Sequence, residues 1–209
     1  MRPHEQEILS VVTNCVRALT VRQVARSWWS DSRKGVARAE NSLHELAEDG
    51  WLQLQTVLAR PNPSLQAPLA TWMPGDRVPG FPNLSKLLHQ RAMVPAKLTT
   101  VIFATSKSTA LFGKGALPKI KLTQMTHDLQ LAEIFLVYRS RGLPIDQWLG
   151  EDHLPHSWPI QQRPDSVLKR TDGTIYRAIE YGGDYSPERL AELHEALSSI
   201  GDGLPYEIW

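Results

Sequence analysis

A single cysteine, Cys15, occurs in 209 residues, so no disulfide framework can form and no cysteine cluster exists to build a structural zinc site. No apolar run approaches the roughly 18 residues of a membrane span. The opening MRPHEQEILSVV lacks both the basic cluster and the pure apolar stretch of a signal peptide. A cytoplasmic protein without a membrane partner is expected. Net charge is almost absent too, at +1 from 23 basic and 22 acidic residues, but that total is a cancellation. Residues 1–75 carry +1, residues 76–123 carry +7 and residues 124–209 carry −7. Segregation on this scale points to nucleic-acid contact or to acidic-basic pairing within the chain.

Several catalytic templates are missing as well. There is no G-x-S-x-G elbow and no H-E-x-x-H. The Gly113-Lys114-Gly115 stretch lacks the first glycine of a P-loop and the Ser/Thr after its lysine, so nucleotide hydrolysis is not expected. Cys15 falls on the apolar stripe of the first helix, where it reads as a small buried hydrophobe.

What is present begins with three short helical patterns. Ile8, Val11, Val12, Cys15 and Leu19 recur at helical spacing, and Thr20 can cap a second run through Val24, Ala25 and Trp28. After a polar turn from Asp31 to Gly35, Val36, Ala39, Leu43 and Leu46 form a third, which Gly50 ends. A strand pattern follows over residues 51–58, then a Pro-Asn-Pro-Ser loop and a second short strand around residues 69–73. A proline-rich stretch from Arg60 to Pro82 reads as a wing loop followed by a linker.

Further on, Leu84, Leu87, Leu88 and Arg91 suggest a short helix, and residues 97–104 (KLTTVIFA) a buried strand. Residues 105–121 then read as a flexible basic loop in which Lys107, Lys114, Lys119 and Lys121 track a phosphate backbone. Residues 122–139 are apolar on most sides, the mark of a helix buried against a sheet. Glu133 interrupts that helix, either reaching solvent at one edge or lining a metal or DNA site. His127 and Asp128 fit capping near its start. The last third predicts a hairpin, residues 163–170 and 174–181 around Thr171-Asp172-Gly173. Ser186-Pro187-Glu188 then opens a helix with Leu190, Leu193, Leu197 and Ile200 on one stripe, and a strand at residues 204–209 follows it.

Helix, helix, helix, hairpin is the order of a winged helix-turn-helix, and VARAENSLHELAEDGWLQL resembles the recognition helix and wing of that superfamily. The resemblance implies that Arg33, Lys34, Arg38, Asn41, Ser42 and His44 meet phosphates or base edges of double-stranded DNA. Winged helices also dock proteins, so a protein-interaction module stands as an alternative. His44 is a surface residue rather than a metal ligand in this reading, since no second ligand lies near it in sequence.

At the other end, Arg163-Pro164-Asp165, a hairpin, and Ala178-Ile179-Glu180-Tyr181 resemble the two halves of the PD-(D/E)XK nuclease-like fold. That fold's acids hold Mg²⁺ and its lysine polarises the attacking water. Carried over, Asp165 and Glu180 are the matching acids and Gly182 stands at the lysine position. Lys169 or Arg177 could deputise, Glu133 could be a third acid, and His194 could lie beside the acids or on the surface.

Taken together, the parts resemble the replication-relaxation family of plasmids and mobile elements. The resemblance implies an α/β (α+β) chain with a winged helix-turn-helix domain at 1–75, a linker and short helix at 76–96, and a nuclease-like α/β sandwich at 97–209. It further implies a DNA-binding accessory or regulatory protein, without catalysis and requiring no cofactor, with a homodimer partner or replication proteins as further contacts. The alternative is a Mg²⁺-dependent DNA endonuclease with a displaced lysine.

Overall fold

A computed structural model describes every residue except Asn62, Ser64, His156, Ile160 and Gln161. In chain order its elements are α1 (Pro3–Asn14), β1 (Leu19–Thr20), α2 (Val21–Trp28), α3 (Arg33–Glu48), β2 (Leu52–Ala59), β3 (Ala70–Trp72), α4 (Phe81–Ala92) and β4 (Lys97–Ala104). They continue with α5 (Ser106–Phe112), α6 (Met125–Ser140), β5 (Trp148–Gly150), β6 (Ser166–Lys169), β7 (Ile175–Glu180), α7 (Pro187–Ser198) and β8 (Tyr206–Ile208). The fold is mixed α/β with two sheets. No helix among the described residues is long and apolar enough to cross a membrane.

Two compact units form, and each is discontinuous in sequence: residues 1–62 with 96–145, and residues 63–95 with 146–209. This differs from the sequential division at 75 and 97. Strand pairing is the reason. The strand expected at 69–73 exists as β3, but it pairs with β8 in the second unit, whereas β2 pairs with β4 along its whole length, from Leu52 opposite Ala104 to Ala59 opposite Lys97. The chain therefore leaves the first unit after β2 and returns to it as β4. Of the expected Pro-Asn-Pro-Ser loop, Asn62 and Ser64 lie outside the described residues.

In the first unit the antiparallel sheet has the order β1-β4-β2. Thr20 caps α2 as its sequence predicted, its Oγ1 accepting from the Gln23 amide at 3.0 Å while the Gln23 side chain accepts from the Thr20 amide. Helix α3 starts three residues earlier than the apolar pattern suggested, because Ser32 caps it by accepting from the Gly35 amide. Gly35 has to be glycine: a Cβ there would sit 2.2 Å from the Ser30 carbonyl oxygen. One sheet face is covered by α6, where Met125 and Leu129 meet Val57, Val101 and Phe103. The burial expected of residues 97–104 applies only to the half that ends in Val101, Ile102 and Phe103; Lys97, Leu98 and Thr100 are exposed.

The second unit has a five-stranded sheet in the order β3-β8-β7-β6-β5. Strands β5, β6 and β7 run as an antiparallel meander, and α7 then returns the chain to place β8 parallel to β7. Leu190, Leu193 and Leu197 of α7, with Leu84 and Leu88 of α4, pack on Ala178, Tyr206 and Ile208. Ser186 caps α7 and Pro187 takes its first position, as read from the sequence.

Candidate functional site

Most of the candidate site residues fall on the α3 helix, on the basic stretch from 105 to 121 and on the β6–β7 hairpin, with Glu133 on α6 and His194 on α7. On α3, Arg33, Lys34, Arg38, Asn41 and His44 are exposed, and their side chains have no hydrogen-bond or ionic partner among the described residues. Unspent cations and amides along one helix are suited to an anionic partner. Ser42 does not join them. It is 1% exposed, and its hydroxyl donates to Glu5 and accepts from Arg2. Its position places it on the stripe of Ala39, Leu43 and Leu46, which are buried as well. Those bonds and the Arg2 ion pair outweigh the cost of burying Glu5 and hold its carboxyl below the usual range.

The basic stretch is more ordered than a flexible loop. Residues 106–112 form α5, capped by Thr105. Lys107 is already committed: its ammonium donates to the Asp49 carbonyl at the end of α3 and lies 4.0 Å from the centroid of the Trp51 ring. Lys114, Lys119 and Lys121 are exposed, and their ammoniums have no partner among the described residues. Glu133, on α6 of the first unit, is already engaged: it is 5% exposed, and its carboxylate receives Arg26 at 2.8 Å and the Gln23 amide at 3.1 Å. Asp128 pairs with Arg17 at 3.2 Å on the same helix.

On the hairpin, Ser166 faces Ile179 and Val167 faces Ala178, and continuing that register sets Asp165 opposite Glu180. The two acids are thus brought together. Asp165 Oδ2 accepts from the Tyr181 amide at 2.8 Å, and Glu180, 4% exposed, accepts from the Tyr185 hydroxyl at 2.7 Å and the Asp165 amide at 3.3 Å. Burial first, then the charges of Glu180 and Asp165, push the Tyr185 phenol far above its ordinary range, so it remains a donor. The sequence carries no signal for Tyr185, because a five-residue offset from Glu180 across Gly182-Gly183 follows no helix or strand period.

Gly182, where the resemblance would place a lysine, is closely packed. A Cβ on Gly182 would lie 2.8 Å from both Cδ atoms of Leu88 and 3.0 Å from Cγ2 of Ile208. Neither proposed deputy reaches the acids. Lys169 is at the turn end of β6, four residues and about 13 Å along the strand from Asp165. Arg177 points to the opposite sheet face, where it pairs with Glu207. His194 is also elsewhere, its Nδ1 3.0 Å from the Tyr206 hydroxyl and its ring edge-on to Trp72. Among the described residues no three His, Cys, Asp or Glu side chains are grouped to hold a metal ion.

The chain matches no known family model, no curated protein and no solved structure.

Proposed function

We propose that this protein is a double-stranded-DNA-binding accessory or regulatory factor of the replication-relaxation type, serving a plasmid or mobile element without cutting DNA. The observation that carries the reading is the set Arg33, Lys34, Arg38, Asn41 and His44, exposed and unpartnered along α3. In this reading the first unit is a winged helix, with α3 in the major groove and the antiparallel β2–β4 strand pair as its wing. Lys114, Lys119 and Lys121 grip the backbone. The second unit is a nuclease-like fold whose site has lost its lysine. Support for that loss comes from Leu88 and Ile208, which occupy the space a side chain at 182 would need.

Anisotropy titrations with a duplex across a salt series test the proposal. Binding should weaken steeply with salt, log K falling against log salt with a slope of about −0.9 per neutralised phosphate. No duplex binding at about 50 mM salt removes the reading. Incubation of several DNA forms with Mg²⁺ or Mn²⁺ tests the non-catalytic part. No cutting is expected, and cutting abolished by Asp165→Ala and Glu180→Ala would instead establish a nuclease.

A further inference from the structure

We propose that Arg22 is a phosphate-contacting residue of this DNA face and that Asp31 is its positioning residue; the inference rests on the DNA-binding reading above. Arg22 is the second residue of α2, and Asp31 lies in the turn that leads into α3. Their contact is a two-pronged fork: Nε to Oδ1 at 2.9 Å and Nη2 to Oδ2 at 3.1 Å. The Arg22 side chain is 75% exposed and that of Asp31 45%. An ion pair this exposed contributes little to stability, so holding the turn is a weak reason for such exact pairing. What the pair does accomplish is orientation. Two of the five guanidinium N–H groups are used, and the remaining ones are held in a fixed plane facing solvent.

The surroundings of the fork are built for an anion. The close approach of Ser30 to Gly35 folds the turn onto the first turn of α3, and the Ser30 and Ser32 hydroxyls are 2.8 Å apart. Ser32 spends its hydroxyl oxygen on the Gly35 amide. The amides of Arg33 and Lys34, at the first two helical positions, have no intrahelical acceptor. A planar guanidinium braced by a carboxylate, next to helix-start amides and two free cationic side chains, suits the singly charged phosphodiester of a duplex backbone, whose two non-bridging oxygens accept hydrogen bonds. The hydrogen bonds from Arg22 hold the Asp31 carboxyl below its usual range, so the brace is ionised at neutral pH.

Duplex titrations across a salt series test the inference, using wild type, Arg22→Ala, Arg22→Lys, Asp31→Asn and the charge-matched control Glu48→Gln. Wild type failing to bind overturns the DNA reading itself. If wild type binds, Arg22→Ala should lose about tenfold in affinity, with the salt slope smaller by about 0.9; unchanged affinity and slope overturn the role of Arg22 while leaving DNA binding intact. Arg22→Lys keeps the charge and should bind more weakly than wild type at an unchanged slope. This variant also serves should the alanine variant fail to fold in a thermal melt. Asp31→Asn should bind more weakly than Glu48→Gln, and equal or tighter binding overturns the positioning role of Asp31.

Discussion

Alanine at position 182 adds one methyl group to the place where Leu88, Gly182 and Ile208 meet. Its carbon would lie 2.8 Å from both Leu88 Cδ atoms and 3.0 Å from Ile208 Cγ2. Leu88 and Ile208 are 1% and 0% exposed, so the leucine cannot swing into solvent to make room. Overpacking of this kind costs about 1–3 kcal/mol, and the Leu88→Ala cavity alone about 2–5 kcal/mol. In the double variant the alanine methyl occupies part of the space that Leu88 vacated. The double should therefore be more stable than the sum of the singles by about 1–2 kcal/mol. Urea unfolding followed by circular dichroism measures all three, with midpoints compared at constant m. Strictly additive losses, or a Gly182→Ala variant as stable as wild type, would refute the idea that the lysine position is closed by packing. The support that this packing lends to the proposed non-catalytic second unit would go with it.

Four other outcomes follow from the contacts described. Ser32→Ala removes the cap of α3 and should cost about 1 kcal/mol in chemical denaturation. Arg26→Ala leaves the Glu133 carboxylate buried with only part of its hydrogen bonding; because Arg26 is itself partly exposed, about 2 kcal/mol is expected. Burial depresses the His194 pKa below its unfolded value near 6.5, so the unfolded chain binds the proton more readily. Stability should thus be full above that pH and fall as pH drops below it, and His194→Phe should flatten the dependence in thermal melts. Glu5, whose carboxyl is held low, should contribute in the acid range in the same direction, with its stabilisation lost as pH falls through its folded pKa and absent in Glu5→Gln.

Local signals in the sequence carried much of the fold. Thr20, Ser186-Pro187 and the 171–173 turn specify their caps and hairpin through neighbours within a few residues, and the hairpin register sets Asp165 opposite Glu180. The choice of strand partner is not local. Residues 69–73 and 97–104 both look like strands, and only the distant Tyr206–Ile208 segment, with Tyr206 stacked on Trp72, draws the first of them away from β2. The ion pairs that absorb Glu133 and Asp128 join residues about a hundred positions apart, and periodicity alone does not reveal such partners. Ser42 is different. Its place among Ala39, Leu43 and Leu46 is readable from helical phase, whereas residue type alone groups it with the exposed polar residues of α3. Tyr185 and the plug formed by Leu88 depend on tertiary packing that no spacing announces.

DNA recognition through α3 is tested most directly by the affinity of a Lys34→Glu/Arg38→Glu variant for duplex DNA, measured beside wild type at one fixed salt concentration with circular dichroism as the check on folding. Both side chains are exposed and without a partner among the described residues, so the fold should be retained while duplex affinity falls by about a hundredfold or more. A folded variant that binds duplex as tightly as wild type would contradict the assignment and place any DNA contact away from α3.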